Sequence, residues 1–370
     1  MLKKLTGTPV CAVLKRAVAV AHHPAQSAPR PSAAGRWLAG TFRNAFGQRN
    51  YKLYVPGSYL GQSIPLLVML HGCTQDPDDF AAATRMNELA DRDTFLVLYP
   101  EQPESAHDRR CWRWFEPEHQ QRSRGEPAII VGLTRRVMRE YAVDPARVYV
   151  AGLSAGGAMA VVLGATYPDV FAAVGVHSGL PYKAGEGLLS AWLAMRLGAP
   201  SVGSTGAPVG SRTVPLIVFH GDADRTVSLA NSRQLVAQWA GRYALADGPL
   251  AGSLAEPAFV RVGNVAGGYS YTQAVFGAAD QTLIEQWTVH GLGHAWSGGS
   301  PAGSHADPLG PDASAELARF FEQHAMLRRR GRTRQLAPQP PGLTRWLARL
   351  AGLGAARVAR FARPPRDRAA

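Results

Sequence analysis

The chain has 370 residues and a formal net charge of +13, with 46% hydrophobic residues and three cysteines. That length holds one large α/β domain of about 250–280 residues plus tails, and no window reaches the roughly 20 apolar residues of a membrane span. The charge is uneven: residues 1–50 carry eight Lys/Arg and no acid, residues 327–370 carry twelve Arg and one acid, and residues 51–326 are left at −6; a nucleic-acid enzyme would carry its basic surface on the folded body.

Lys3-Lys4 and the apolar Val10 to Leu14 look like the start of a secretory signal. Lys15 and Arg16 interrupt the run before it reaches the about 7–15 residues such a segment needs. Residues 1–36, rich in Ala, Pro and Ser, are expected to be a disordered or processed basic leader. Residues 37–326 are expected to form one catalytic α/β domain. Within it Asn50–Val55 alternates like a half-buried strand, and Pro65–Leu70 is a continuous apolar run like a strand buried on both faces. Phe80–Arg92 has helical spacing, Thr94–Tyr99 reads as a strand, and 101–126 as a polar loop containing the aromatic cluster Cys111-Trp-Arg-Trp-Phe115. A helix over 127–141 precedes the strand ending at Ala151. Further strands are expected at Phe171–Val176, Pro215–Phe219, Tyr269–Val275 and Leu283–Val289, and helices near Leu188–Leu197, Ser232–Tyr243 and Ser314–Met326. Alternating strands and helices imply a mostly parallel sheet with helices on both faces.

Val148-Tyr-Val-Ala-Gly-Leu-Ser154-Ala-Gly-Gly157 is the most informative stretch. It places G-x-S-x-G between a strand and the helix-favouring Ala158–Leu163, the setting of a nucleophile elbow. Gly152 and Gly156 leave room for a serine on a sharp turn, and the helix behind it offers N–H groups and positive potential to an anion. Serine needs a base, and the base needs an orienting carboxylate. Candidate partners all follow strands: His71, His177, Asp222, Asp224, His290 and His294. The order Ser154, Asp224, His294, with 70 residues in each interval, is that of a Ser–acid–His triad on a parallel sheet. Asp224 is preferred to Asp222 because it lies further round its loop, with Asp222 read as a turn residue and His290 as structural. The oxyanion-hole donors are expected to be the N–H of Ala155 and that of Cys73 in His71-Gly72-Cys73, with Thr74 in reserve. Cys73 and Cys111 are either a disulfide that pins the aromatic loop or two buried thiols. Trp112, Trp114 and Trp296 either line an acyl groove or simply pack.

Leu70-His-Gly-Cys-Thr-Gln75, Cys111-Trp-Arg-Trp-Phe115, Gly152-Leu-Ser-Ala-Gly-Gly157, His220-Gly-Asp-Ala-Asp224 and Gly293-His-Ala-Trp-Ser-Gly-Gly299 occur in this order. Together they resemble the poly(3-hydroxybutyrate) depolymerase family of esterases, close to feruloyl and acetylxylan esterases, over about residues 40–325. The resemblance implies an α/β-hydrolase fold with Ser154 as nucleophile, Asp224 as orienting acid and His294 as base. It also implies hydrolysis of short-chain hydroxyalkanoate esters, an extracellular setting, and neither metal nor organic cofactor. The chain departs from the family pattern in lacking a clear signal peptide and a separate substrate-binding domain, which leaves a cytoplasmic location as the alternative. The expected partner is an oligomeric or polymeric ester rather than a nucleic acid, and the protein is expected to be a monomer. In the tail over 327–370, Trp346, Leu347, Leu350, Leu353 and Val358 alternate with Arg345, Arg349, Arg357 and Arg360. That pattern fits either a basic amphipathic helix on an anionic or granule surface or a solvated tail. Two further readings are a feruloyl- or acetylxylan-type carboxylesterase and, from a different class, a non-catalytic granule-binding protein.

Overall fold

A computed structural model of the protein describes residues 34–199, 212–247, 256–278 and 281–326. All but the last residues of the expected leader, and all of the tail over 327–370, lie outside them. The chain divides into two compact units, Met1–His324 and Ala325–Ala370, and the elements below belong to the first.

Among the described residues one sheet is built from β1 (Arg36–Asn44), β2 (Gly47–Val55), β3 (Ile64–Leu70), β4 (Leu96–Pro100), β5 (Val143–Leu153), β6 (Ala173–His177), β7 (Leu216–Gly221), β8 (Phe259–Asn264), β9 (Ser270–Ala278) and β10 (Gln281–Val289). Their order is β1-β2-β4-β3-β5-β6-β7-β10-β9-β8. The run from β4 to β10 is parallel, and antiparallel strands extend it on both sides. Every residue of β4, β6 and β7 is buried. Successive side chains point to opposite faces, so both faces of the centre are covered. The edge strands β1 and β8 are largely exposed and carry no such apolar run, which is why sequence patterning did not find them.

The helices are α1 (Pro77–Thr84), α2 (Met86–Asp93), α3 (Gly125–Glu140), α4 (Ala155–Thr166), α5 (Leu188–Leu197), α6 (Ala230–Asp247) and α7 (Ala313–Glu322). The single helix expected over Phe80–Arg92 is two. Arg85 adopts φ 52° and ends α1 with its N–H on the Ala81 carbonyl. Its guanidinium then reaches the Gly298 carbonyl at 3.0 Å and Asp312 at 3.1 Å.

The sheet order gathers chemistry at one end. His71 follows β3, Ser154 follows β5, His177 ends β6, Asp222 and Asp224 follow β7, and His290 and His294 follow β10. These five strands are consecutive neighbours in the sheet, so residues spread over more than 200 positions meet at the carboxyl ends of the strands. Two of the histidines are internal braces. His71 Nε2 accepts the Gln102 N–H at 3.0 Å. His177 Nε2 accepts the Ser297 N–H at 3.0 Å, and its ring stacks on Trp296 and Phe219 with centroids 5.1 and 5.9 Å away. Both acceptor roles require the neutral ring, and burial pushes His71 down to about 4 and His177 to about 3.

Two outcomes are expected. The unfolded chain takes up protons at these histidines below about pH 6.5, whereas the folded chain does not until about 4 and 3. Stability should therefore be complete above pH 6.5 and fall by about 1.4 kcal/mol per pH unit for each histidine as the pH drops towards 4. Thermal melts across this range should show the slope, with His177→Gln less steep; a flat melting temperature would contradict the brace assignment. Separately, a Cβ on Gly156 would lie 2.0 Å from the Leu70 carbonyl oxygen and 2.5 Å from that of His71. Gly156→Ala should lower stability by about 1–3 kcal/mol, and a wild-type melting temperature in that variant would show that α4 can back away from β3.

Candidate active site

Ser154 lies between β5 and α4 at φ 56°, ψ −118°, a conformation that L residues avoid. Its N–H is held by the His177 carbonyl at 2.8 Å. The two glycines around it are required sterically: a Cβ on Gly152 would fall 2.4 Å from the Gly156 carbonyl carbon. Ala155 is the first residue of α4, so its N–H has no intrahelical acceptor.

The acid and the imidazole come from loops locked to each other. Asp224 Oδ1 accepts the N–H groups of Thr226 at 2.8 Å and Val227 at 2.9 Å, and its Oδ2 accepts His294 Nδ1–H at 2.6 Å. The Asp224 side chain has no exposed surface. Burial alone would raise its carboxyl, but the His294 hydrogen bond and charge and the Val227 N–H hold it below the ordinary carboxylate range. With Nδ1–H given to Asp224, Nε2 is the acceptor of the His294 ring. Asp222, expected as a turn residue, has a larger part. It pairs with His290 at 2.8 Å and accepts the Gly291 N–H at 2.7 Å, while Ala223 N–H bonds the Leu292 carbonyl at 3.1 Å. These contacts fix the loop that delivers His294. His290 Nε2 also lies 2.9 Å from Thr272 Oγ1.

The loop after β3 supplies a further backbone donor. Gly72 N–H is taken by Gln75 Oε1 at 2.9 Å, and Thr74 N–H by the Arg109 carbonyl at 2.7 Å. Thr74, the reserve choice, is thereby occupied; the Cys73 N–H between them has no such acceptor among the described residues. Cys73 and Cys111 form a disulfide. The aromatic loop is also clamped by buried Glu126, which accepts the Arg113 N–H at 2.8 Å, Gln102 Nε2–H at 2.6 Å and Arg49 at 3.1 Å. That clamp carried no recognisable sequence signal.

Ser154, Ala155, Cys73 and His294 line one cavity of about 570 Å³. Ser154 Oγ and His294 share it without a direct hydrogen bond; such contacts often tighten only when substrate binds. Of the three tryptophans proposed for an acyl groove, only Trp114 lines the cavity. Trp112 and Trp296 are fully buried, with their indole N–H groups on the His71 carbonyl at 3.1 Å and Ser314 Oγ at 3.0 Å. Their place is packing, since a fully buried ring whose N–H is already satisfied has no surface left for a ligand. The rest of the apolar wall comes from Phe115, Leu180 and the α5 residues Leu188, Ala191, Trp192 and Met195, which sequence reading did not single out. The available signal was α5 itself: Leu-Leu-Ser-Ala-Trp-Leu-Ala-Met-Arg-Leu is apolar nearly all round, yet Trp192 is 52% exposed. Thr74, His107, Arg109 and His305 add a polar wall.

The model of the family described as Esterase PHB depolymerase matches residues 49–254. The chain is 33% identical over 253 residues to poly(3-hydroxyalkanoate) depolymerase C of Paucimonas lemoignei, covering 65% of this chain and 57% of that protein. It is 33% identical over 140 residues to feruloyl esterase B of Thermothelomyces thermophilus, covering 38% and 47%. The chain thus spans about half the length of these curated relatives. Among solved structures, an acetyl xylan esterase from Aspergillus awamori superimposes with a TM-score of 0.61 at 20% identity, covering 78% of this chain and 99% of that one. The fold is that of the α/β-hydrolase esterases, and the chain belongs to the Esterase PHB depolymerase family.

Proposed function

We propose that this protein is a serine esterase that hydrolyses short-chain 3-hydroxyalkanoate esters through an acyl-enzyme. The observation that carries the reading is the 2.6 Å bond between His294 Nδ1 and Asp224, with His294 and Ser154 on one cavity. His294 Nε2 takes the Ser154 proton as Oγ attacks the ester carbonyl. The N–H groups of Ala155 and Cys73 receive the negative charge of the tetrahedral intermediate. Collapse expels the alcohol, which leaves with the proton from His294. Water, deprotonated by the same imidazole, then releases the acid and restores Ser154. Asp224 remains ionised throughout, in keeping with its lowered carboxyl, and orients the ring.

The apolar wall of Trp114, Phe115, Leu188, Trp192 and Met195 suits an aliphatic acyl chain. The similarity to feruloyl esterase B supports a second reading, in which the acyl group is an aromatic or acetyl substituent of a plant polysaccharide. The Cys73–Cys111 disulfide supports an extracellular setting. The basic segment over 327–370 would act as an accessory that holds the enzyme on a polyester granule.

Wild-type protein is expected to hydrolyse p-nitrophenyl butyrate, and Ser154→Ala to lose about 10⁴-fold or more in kcat with an unchanged far-UV spectrum. Asp224→Asn is expected to fall by about 10⁴-fold. Full turnover in either variant would remove that residue from the mechanism. Trp192→Ala should lower kcat/KM for the octanoate ester several-fold more than for the acetate ester, at about 25 cal/mol per Å² of lost apolar contact; equal losses would place the acyl chain elsewhere. Comparing 3-hydroxybutyrate oligomers with feruloyl and acetyl xylan esters separates the two substrate readings.

A further inference from the structure

The cavity has two chemically different walls. His305, held at φ 51°, lies with Nε2 3.4 Å from Thr74 Oγ1 and lines the same cavity as His294. Thr74 is in turn bonded through its N–H to the Arg109 carbonyl at 2.7 Å. His294, His305, Thr74 and Arg109 all line the cavity, with Thr74 joined to the Arg109 main chain, and they make up its polar wall. In the proposed reaction His294 hands its proton to the departing alcohol, so this wall borders the leaving group, and the aromatic and α5 wall borders the acyl chain.

The charge on the polar wall is unusual. Arg109 lines the cavity, and no acidic side chain lies within ion-pair reach of its guanidinium among the described residues. Its neighbours are committed: Arg110 pairs with Glu104 at 3.0 Å and Asp76 at 3.5 Å, Arg113 with Glu116 at 3.1 Å, and His107 lies 3.2 Å from Asp108. No carboxylate among the described residues lines the cavity. A fixed positive charge at the edge of an apolar, acid-free cavity favours an anion, and guanidinium is the side chain whose fork matches a carboxylate.

We propose that Arg109 binds the free carboxylate of a leaving 3-hydroxy acid, so that the preferred substrates are short oligoesters attacked at their acid-terminated end. The inference rests on the esterase reading above. In such an oligomer the terminal carboxylate is separated from the scissile ester oxygen only by a methine and a methylene. Hydrolysis adds water across that ester: the acyl carbon keeps the hydroxyl, and the departing oxygen takes the proton and leaves as a hydroxy acid whose carboxylate is still paired with Arg109. Acetate or ferulate esters of neutral sugars place no anion there, so the Arg109 charge discriminates between the two substrate classes.

The test compares the 3-hydroxybutyrate dimer as free acid with its methyl ester, reading the ratio of their kcat/KM values. In the wild type the ratio should exceed one. Arg109→Met should lower it about tenfold or more, through KM, and Arg109→Lys, which keeps the charge but not the fork, should give an intermediate ratio. A ratio at or below one in the wild type, or an unchanged ratio in Arg109→Met, overturns the proposal. On the unmodified protein, 3-hydroxybutyrate anion should inhibit p-nitrophenyl butyrate hydrolysis more strongly than methyl 3-hydroxybutyrate; equal inhibition overturns it without any variant. Calorimetry with Ser154→Ala separates the two claims. If the wild type cleaves no ester yet Ser154→Ala binds the acid dimer and Ser154→Ala/Arg109→Met does not, the esterase reading fails and the carboxylate site stands. If esters are cleaved and the two variants bind the dimer equally, the carboxylate site fails alone.

Discussion

A Cβ on Gly156 would sit 2.0 Å from the Leu70 carbonyl oxygen, and one on Gly152 would sit 2.4 Å from the Gly156 carbonyl carbon; α4 therefore meets β3 and β5 with only backbone between them. That approach leaves the chain too little length for a relaxed connection, and Ser154 takes up the turn at φ 56°. Strain of this kind costs about 1–3 kcal/mol and persists only where packing overdetermines it. Here the packing is α4 itself, buried along all but the last of its residues, together with the Ser154 N–H bond to the His177 carbonyl. The same close contact sets the N-terminus of α4 beside the loop after β3, so the amides of Ala155 and Cys73 border one cavity.

A second constraint governs the loops after β7 and β10. Each would be free to move if it were held only by its own strand. Asp222 ties down His290 and Gly291, Ala223 ties down Leu292, and a Cβ on Gly221 would strike the Leu292 carbonyl oxygen at 2.1 Å. Two acids two positions apart therefore do different work. Asp222 is partly exposed and fixes the backbone, whereas Asp224 is sealed from solvent and faces the imidazole. Beneath them His220 Nε2–H donates to the Val227 carbonyl at 2.8 Å and stands 3.5 Å from Asp224. The loop is thus supported from below as well as from the side.

How much of this was legible follows from which signals are local. The elbow is local, because a strand, two glycines and a helix are contiguous from Val148 to Leu163. The Ser154, Asp224, His294 order was legible because each residue follows an apolar strand, and the parallel topology turns that shared position into proximity. What failed was non-local. Trp112 and Trp296 are aromatic in loops, and only the tertiary fold decides that Phe80, His177 and Ser314 enclose one of them while the His71 carbonyl takes the other's N–H. The break at Arg85 has no glycine or proline to announce it. It depends on an arginine that finds Asp312, 227 residues away. The cavity role of α5 likewise needed the structure, since an apolar helix in sequence reads as core until its exposed face is seen.

The loop over 101–115 is tied directly to the loop after β3. Its Arg109 carbonyl occupies the Thr74 N–H, its Cys111 is bonded to Cys73, and its Gln102 holds both the His71 ring and the Cys111 carbonyl. The same segment contributes Trp114 and Arg109 to the cavity lining. Movement of this wall is therefore transmitted to the main chain at Cys73 through the disulfide and the Thr74 bond. The α5 helix is held by the Ala194 carbonyl on Asn231 at 2.8 Å and the Met195 carbonyl on Ser228 at 2.7 Å, and at its start by the Gly187 N–H on the Phe115 carbonyl of the 101–115 loop at 2.8 Å. Both α5 and the loop after β3 therefore hang on the 101–115 loop, α5 through Phe115 and the loop after β3 through Cys111.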